Sequence, residues 1–285
     1  MIDKNVIDES LVFYNIDSQY RELCYKCLEE VNSNEKFRLA FHRVYEVLYE
    51  KDVSKIKPLW DIYNISELFV DNINPFVTNL MVLLGYNYHK ENMEKHNFCE
   101  CQINIHKKRV KECFESDLIN RKYKSIRISQ MLWAVYFIRT RIIEVGSLQF
   151  EYENDSVVKI HIPRKTNLDI TKVKESIKES RTEVQKIYAI SNYNYKCVSW
   201  LLSNQVYELL NENSNIAKFH DLFTISEGEN CVNDILNFVF GIDACDDYSS
   251  LRAETSLQKI VKNQLLSGKI FYIGSGILKK ELVFD

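Results

Sequence analysis

The sequence predicts an α/β protein of the α+β class, with a helical N-terminal domain followed by a mixed, mostly antiparallel sheet flanked by helices. From Ser147 to Ser203 the apolar residues first alternate with polar ones, then recur at a spacing near four, and finally form a continuous run. This order indicates two strands, a helix and another strand. The 7 glycines and 3 prolines in 285 residues are too few for the tight turns of a β-sandwich or barrel. We place the domain boundary between residues 120 and 121.

Helical spacing of apolar residues dominates residues 1–120. It predicts helices over these segments: Asp17–Val31, Glu35–Glu50, Trp60–Phe69, Phe76–Leu84 and, as one long charged helix, Glu91–Glu115. The segment Ile126–Ile143 is apolar around most of its circumference, which is typical of a buried helix. We expect Gly146 to end that helix as a C-terminal glycine.

The second half of the chain alternates between strands and helices. The polar linker of residues 153–156 predicts a hairpin between strands Ser147–Tyr152 and Val157–Pro163. A helix is expected to begin near Asp169, with Asp169 or Thr171 as its N-cap. The remaining predicted elements are a strand over Tyr195–Leu202, a helix over Asn204–Leu210, a strand over Asn215–Ile225, helices over Val232–Phe240 and Ser256–Leu266, and a last strand over Lys269–Leu278.

Composition excludes several classes of function. A net charge of -3 with scattered cations argues against a general nucleic-acid-binding protein, and no apolar run is long enough to span a bilayer. The first residues lack the features of an export or transit signal, so we expect a cytoplasmic protein whose eight cysteines are free thiols. We expect no metal, although Cys24-x-x-Cys27 and the group of His96, Cys99 and Cys101 leave a regulatory metal protein as a rival hypothesis.

A loop between the second strand and the following helix is the strongest local signal for binding. Pro163 marks the strand exit, and the loop that follows carries two cations, Arg164 and Lys165, before Thr166 and Asn167. Free N–H groups and the positive end of the helix dipole converge at a helix N-terminus, which favours an anion. The alternative interpretation is that both cations belong to a solvated surface loop.

Several phrases resemble one family. GSLQFEY, KIHIP, CVSW, ENSNIAKF and TSLQKIVKNQLLSGKIFYIGSGIL occur in order between Arg139 and Leu278. They resemble bacterial acyltransferase-domain proteins that join a helical N-terminal domain to a C-terminal domain similar to the GNAT (N-acetyltransferase) superfamily. The resemblance implies an N-acyltransferase that moves an acyl group from acyl-CoA, acetyl or longer, to an amine on a small molecule or peptide.

The resemblance also implies the site. It assigns the acyl-CoA cleft to these residues: Ile162, Arg164, Lys165, Thr166, Asn167, Cys197, Ser199 and Trp200. Glu151 and His161 on the hairpin are alternative general bases, and Tyr207 falls where such enzymes hold a tyrosine acid. The loop contains no glycine, and Val198 stands where such relatives often have histidine. These departures motivate the alternative function, a catalytically inactive GNAT-like module that binds a ligand or a protein.

Overall fold

The structure, a computed structural model, describes residues 4–49, 74–164 and 166–279. These divide into two compact units, Met1–Ile143 and Glu144–Asp285. The predicted boundary between residues 120 and 121 stays a prediction, and the predicted helix Trp60–Phe69 lies outside the described residues.

Helices form the described part of the first unit. Their bounds are α1 Lys4–Phe13, α2 Arg21–Ser33, α3 Glu35–Tyr49, α4 Val77–Leu84, α5 Tyr86–Lys95, α6 Glu100–Asn120 and α7 Ile128–Ile138. Every residue of α4 is buried, and the apolar stripes of α2 and α3 contribute to the same core. Helical spacing therefore predicted the character of this unit correctly, because the apolar face of each helix is what the core buries.

Two predicted helices are wrong in extent. The single helix over Glu91–Glu115 is instead α5 and α6, because Asn97 adopts a left-handed φ of 51° and the Phe98 amide donates to the Met93 carbonyl. These features end α5. The helix expected over Ile126–Ile143 stops at Ile138, where Thr140 has a φ of 52°.

The residues after that early stop form a strand that the sequence pattern did not reveal. Strand β1 covers Ile142–Val145, and β2 follows at Leu148–Asn154. Gly146 has a φ of 59° and lies in the turn between β1 and β2, so it does not end a helix. A side chain at Gly146 would also overlap the hydroxyl of Ser176, which adds a steric reason for glycine at this turn.

The second unit contains most of the sheet and its flanking helices. After β2 come β3 Val157–His161, α8 Ile170–Tyr188, β4 Asn194–Ser199, α9 Asn204–Tyr207, α10 Asn215–His220, β5 Phe223–Asn230, α11 Val232–Ile235, α12 Ser256–Leu266 and β6 Tyr272–Leu278. The six-stranded sheet has the order β1-β2-β3-β4-β6-β5. Pairing is parallel between β3 and β4 and antiparallel for β2 with β3, β4 with β6 and β5 with β6.

Most elements of this unit follow the sequence prediction, with two corrections. The strand expected over Asn215–Ile225 is α10 followed by β5, because Ser214 caps a helix by accepting from the Ala217 amide at 3.2 Å. The strand expected over Tyr195–Leu202 ends at Ser199, and Trp200–Leu202 forms a 3-10 turn. Gly268, with a φ of 79°, follows α12 as predicted.

Helix α8 packs on one face of the sheet. Tyr195 on β4 shares a 2.6 Å hydrogen bond with Ser180 of α8, and Tyr152 on β2 stacks on Tyr188 with ring centroids 5.0 Å apart. Side chains alternate across a strand, so Gln149, Glu151 and their neighbours on β3 lie on the opposite face. The polar side chains of β2 and β3 are therefore separated from the α8 core.

Candidate functional site

The parallel ladder between β3 and β4 at the centre of the sheet is short. The last paired residues of β3 and β4 are Ile160 and Cys197. Beyond them β3 ends at His161, whereas β4 continues along β6 through Val198 and Ser199. A backbone ladder that stops while one strand continues leaves an edge to which an extended ligand can add by main-chain hydrogen bonds.

A carboxylate and an imidazole meet next to the end of this ladder. Oε2 of Glu151 lies 2.8 Å from Nε2 of His161, with side chains 4% and 27% exposed respectively. Their positions follow from the hairpin register, in which Glu151 pairs with Lys159 and Gln149 pairs with His161. An ionised carboxylate only accepts hydrogen bonds, so Nε2 of His161 is the donor when Glu151 is ionised. The contact therefore places a nearly buried carboxylate against a partly exposed imidazole.

Other polar pairs occupy the same face. Lys159 and Glu153 form an ion pair at 2.7 Å, and Gln149 donates to Glu144 at 2.8 Å. Alternation on β2 left the environment of Glu151 open, since either face was consistent with the pattern. The structure buries it, with 3% of the residue exposed.

The cationic loop makes specific contacts. Nη2 of Arg164 donates to Oδ1 of Asn237 at 2.6 Å, and its guanidinium lies 5.2 Å from the centroid of the Phe238 ring. Thr166 turns back, since its hydroxyl donates to the Pro163 carbonyl at 2.6 Å. Lys165 lies outside the described residues. The exposed Arg164 thus contacts residues that follow β5.

The start of α8 is capped by its own acid. Oδ1 of Asp169 accepts from the amides of Thr171 and Lys172, both at 3.1 Å, which confirms Asp169 as the N-cap. Asn167, just before it, accepts from the side-chain amide of Asn215 at 3.1 Å. Two of the amides on which an anion site at this helix depends therefore already bind a carboxylate.

The residues on and near β4 that were expected to bind acyl-CoA differ in their exposure to solvent. Cys197 is fully buried, and burial raises the pKa of its thiol to about 12, so the thiol is protonated at neutral pH. The hydroxyl of Ser199 accepts from the Leu201 amide at 3.2 Å. Trp200 is half-buried against the apolar cluster that contains Val206, and Ile162 is half-buried between His161 and Pro163.

Tyr207 belongs to a separate polar group. Its ring stacks on His220 with centroids 4.0 Å apart. A hydrogen bond to Asp221 raises the pKa of the Tyr207 phenol, because the phenol O–H is the donor to the carboxylate. Sequence reasoning missed His220 and Asp221, since the alternation of this segment was interpreted as a strand. It also missed Asn237 and Phe238, which no local pattern connects to Arg164.

Two kinds of site find no support in the described part of the chain. No group of three or more His, Cys, Asp or Glu side chains there is arranged to hold a metal ion. Among the same residues, no helix combines the length and the apolar character that crossing a bilayer requires.

The chain has a GNAT-like fold. Residues 105–278 match the model of the family described as GNAT-like C-terminal domain. This match covers more than half of the chain, and the chain belongs to that family. No curated protein matches the sequence.

Solved structures share the architecture at low sequence identity. A mutant acyltransferase in complex with octanoyl-CoA superposes with a TM-score of 0.73 and 15% identity, over 95% of this chain and 87% of that one. An acyltransferase in complex with decanoyl-CoA gives a TM-score of 0.67 and 18% identity, over 84% and 76%. A further acyltransferase complex, with decanoyl-CoA and teicoplanin, gives a TM-score of 0.67 and 17% identity, again over 84% of this chain and 76% of that one.

Proposed function

We propose that this protein is an acyl-CoA-dependent N-acyltransferase that transfers an acyl group from a CoA thioester to an amine of a small molecule or peptide. The observation that carries the proposal is the end of the β3–β4 ladder at Ile160 and Cys197, with the Glu151–His161 pair next to it. Membership of the GNAT-like family supports the donor. The solved neighbours hold octanoyl-CoA or decanoyl-CoA, which favours a medium-chain acyl group.

In the proposed reaction, the pantetheine arm extends along the free edge of β4 and places its thioester beside His161. A neutral amine attacks the carbonyl carbon, the C–S bond breaks, and CoA leaves as a thiolate. The proton of the attacking nitrogen passes to Nδ1 of His161, while Glu151 accepts from Nε2–H and stabilises the imidazolium. Glu151 is therefore a positioning residue, and His161 is the base.

Protonation of the thiolate is assigned to Tyr207 as a proposal. Its phenol has a raised pKa because it donates to Asp221, so transfer to the thiolate requires that the phenol leave that carboxylate. Removing the hydroxyl in Tyr207→Phe should slow turnover at saturating acyl-CoA and leave acyl-CoA binding unchanged. Unchanged turnover would exclude Tyr207 as the acid.

The phosphates of CoA are assigned to the loop after β3. Arg164 supplies a fixed guanidinium, and Lys165 supplies a second cation in the sequence. Thr166 and Asn167 complete the loop, and Ile162, Ser199 and Trp200 line the path of the arm in this proposal. The Arg164→Ala variant should weaken acyl-CoA binding, because a charge-assisted contact to phosphate is lost.

The decisive experiment measures donor binding and thiol release. Calorimetric titration with octanoyl-CoA is followed by detection of free CoA in the presence of a panel of amines and amine-bearing peptides. The His161→Asn variant should bind octanoyl-CoA normally and lose roughly 100-fold to 10,000-fold in kcat, the usual contribution of a general base. Glu153→Gln is the matched control, a neighbouring carboxylate on the same face, and should keep near-normal turnover. Absence of acyl-CoA binding by the wild-type protein would refute the proposal.

One observation favours the alternative of a module that binds acyl-CoA without turnover. Asp169 already occupies two amides at the start of α8, and the preceding loop has no glycine, so the backbone cradle for phosphate is incomplete. The same titration separates the two functions, because the module binds octanoyl-CoA and releases no CoA with any amine.

The cell compartment is a further part of the proposal. All eight cysteines are free thiols, which supports the cytoplasm, where thiols stay reduced. We propose a bacterial, cytoplasmic protein, and fractionation of the source cells tests the location. Recovery in an exported fraction would contradict it.

A further inference from the structure

A cluster of four residues joins the loop after β3 to the long connection between β5 and β6. Phe238 lies in the π-helical turn Leu236–Phe240 that follows α11. The guanidinium of Arg164 lies over the Phe238 ring and donates to Asn237. Asn237 in turn donates from Nδ2 to Oδ1 of Asp243 at 2.7 Å. The connection between β5 and β6 therefore reaches back to the loop that the proposed function assigns to phosphate.

Two contacts favour one orientation of the exposed Arg164 side chain. Because Nδ2 of Asn237 donates to Asp243, its Oδ1 is directed to Arg164 and accepts from Nη2 at 2.6 Å. The guanidinium is thus held at one edge by an amide and on one face by an aromatic ring. An arginine whose plane is already fixed loses less side-chain freedom when it pairs with a phosphate.

The ring itself is open to solvent. Phe238 is 51% exposed, although burial of a phenylalanine ring is favourable. A single exposed apolar side chain is ordinary on a protein surface. Here, however, the exposed ring touches a fixed cation, and that combination suits a ligand with both a flat π-system and phosphate groups. Proteins commonly bind bases by stacking on aromatic rings and bind phosphates by arginine.

We propose that Arg164 and Phe238 form a nucleotide platform, on which the adenine of CoA stacks against Phe238 while a phosphate of the nucleotide pairs with Arg164. This inference rests on the proposed function and deepens it. Recognition of the donor then depends on the β5–β6 connection as well as on the loop after β3. Asn237 is a positioning residue, because it acts through Arg164.

The test compares a donor that has a nucleotide with one that lacks it. Octanoyl-CoA and S-octanoyl-pantetheine are titrated calorimetrically into the full chain and its variants. Phe238→Leu removes the π-face and keeps an apolar side chain, and it should weaken octanoyl-CoA about tenfold, equivalent to roughly 1.4 kcal/mol. It should leave S-octanoyl-pantetheine unchanged. Phe238→Trp should restore octanoyl-CoA binding, because it restores a stacking surface.

Controls separate the platform from general damage. Leu266→Ala alters a similarly exposed apolar residue, 52% exposed, on α12 and should change neither affinity. Asn237→Ala should weaken octanoyl-CoA and spare S-octanoyl-pantetheine, since it releases Arg164.

Three results would contradict parts of this reasoning. Unchanged octanoyl-CoA affinity in Phe238→Leu overturns the platform, and so does an equal loss for both donors. If the wild-type protein binds neither donor, the proposed function fails. In the first two cases the wild-type protein still binds octanoyl-CoA, so only the platform fails.

Discussion

Gly274 lies against the backbone of Leu202, and replacing this glycine with alanine should damage both fold and binding. Gly274 on β6 pairs with Ser199 at the end of β4. An added methyl group would overlap the carbonyl carbon and oxygen of Leu202 and lie 2.6 Å from the Leu202 Cβ atom. The carbonyl carbon and oxygen are main-chain atoms of the 3-10 turn, so no rotamer change removes the overlap.

The size of the effect follows from that overlap. Overpacking a well-packed site costs about 1–3 kcal/mol, and a backbone obstacle places Gly274→Ala near the upper end, at about 3 kcal/mol. A loss of 1 kcal/mol lowers Tm by roughly 2–4 °C in a protein of about this size, so we expect a decrease of roughly 6–12 °C. Because the Trp200–Leu202 turn must move, octanoyl-CoA affinity should fall as well.

Differential scanning calorimetry and the octanoyl-CoA titration measure both effects. Gly228→Ala is the matched control on β5, where the methyl group would lie 2.7 Å from a side-chain atom, Cγ2 of Ile273, and 3.3 Å from the Ile273 carbonyl oxygen. That control should lower Tm much less. A Gly274→Ala protein that melts within 1 °C of Gly228→Ala would refute the steric argument.

Three further outcomes are expected. Burial and, to a smaller extent, the neighbouring His106 and Lys107 lower the pKa of His89 far below its ordinary value. The stability that this neutral histidine provides is therefore present above about pH 6.5 and is lost as pH falls towards the folded-state pKa. Urea unfolding curves recorded at several pH values measure this loss. Iodoacetamide at pH 7.5 should modify Cys99 and leave buried Cys197 intact by mass spectrometry. Asp169→Ala should cost about 1 kcal/mol of stability and should not weaken octanoyl-CoA binding, because it frees two amides.

Each of these outcomes has a control. His89→Gln keeps a polar side chain without a titrating imidazole. The free energy of unfolding of this variant should therefore depend less on pH between pH 6.5 and 5 than that of the wild type. An unchanged pH dependence would contradict the assignment to His89. Labelling of Cys197 as fast as Cys99 would contradict its burial. Asp169→Asn keeps a capping side chain and should melt near wild type, whereas a loss equal to that of Asp169→Ala would show that charge is what stabilises α8.

Local patterns predicted the elements whose cause is local. The hairpin around residues 153–156, the cap at Asp169 and the stop at Gly268 depend on turn chemistry within a few residues, and they are confirmed. The segment Asn215–His220 alternates like a strand, but a cap at Ser214 makes it a helix. The break at Asn97 depends on one left-handed residue, which asparagine tolerates without requiring.

The arrangement around Arg164 was not predictable by the same means. Arg164 and Asn237 are 73 residues apart, and the π-helical turn that carries Phe238 has no signal in the sequence pattern. Only the order of the sheet strands, with β6 placed between β4 and β5, determines where the connection between β5 and β6 returns. Contacts of this kind arise from tertiary structure. The sequence pattern therefore predicted the loop but not the residues that Arg164 contacts.

The burial of Glu151 and His161 bears on whether the pair is catalytic or structural. Removing a carboxylate from water costs free energy, and a partner on one side often does no more than offset that cost, so a buried ion or hydrogen-bonded pair is weak evidence for stability. Glu151 is nearly enclosed, while His161 remains about one quarter exposed. Partial exposure lowers the desolvation cost of the imidazole, so a structural pair tolerates it as well. A base needs that access, because the proton it removes comes from a substrate outside the sheet. Kinetics of the His161→Asn variant therefore decide between the structural role and the proposed catalytic role.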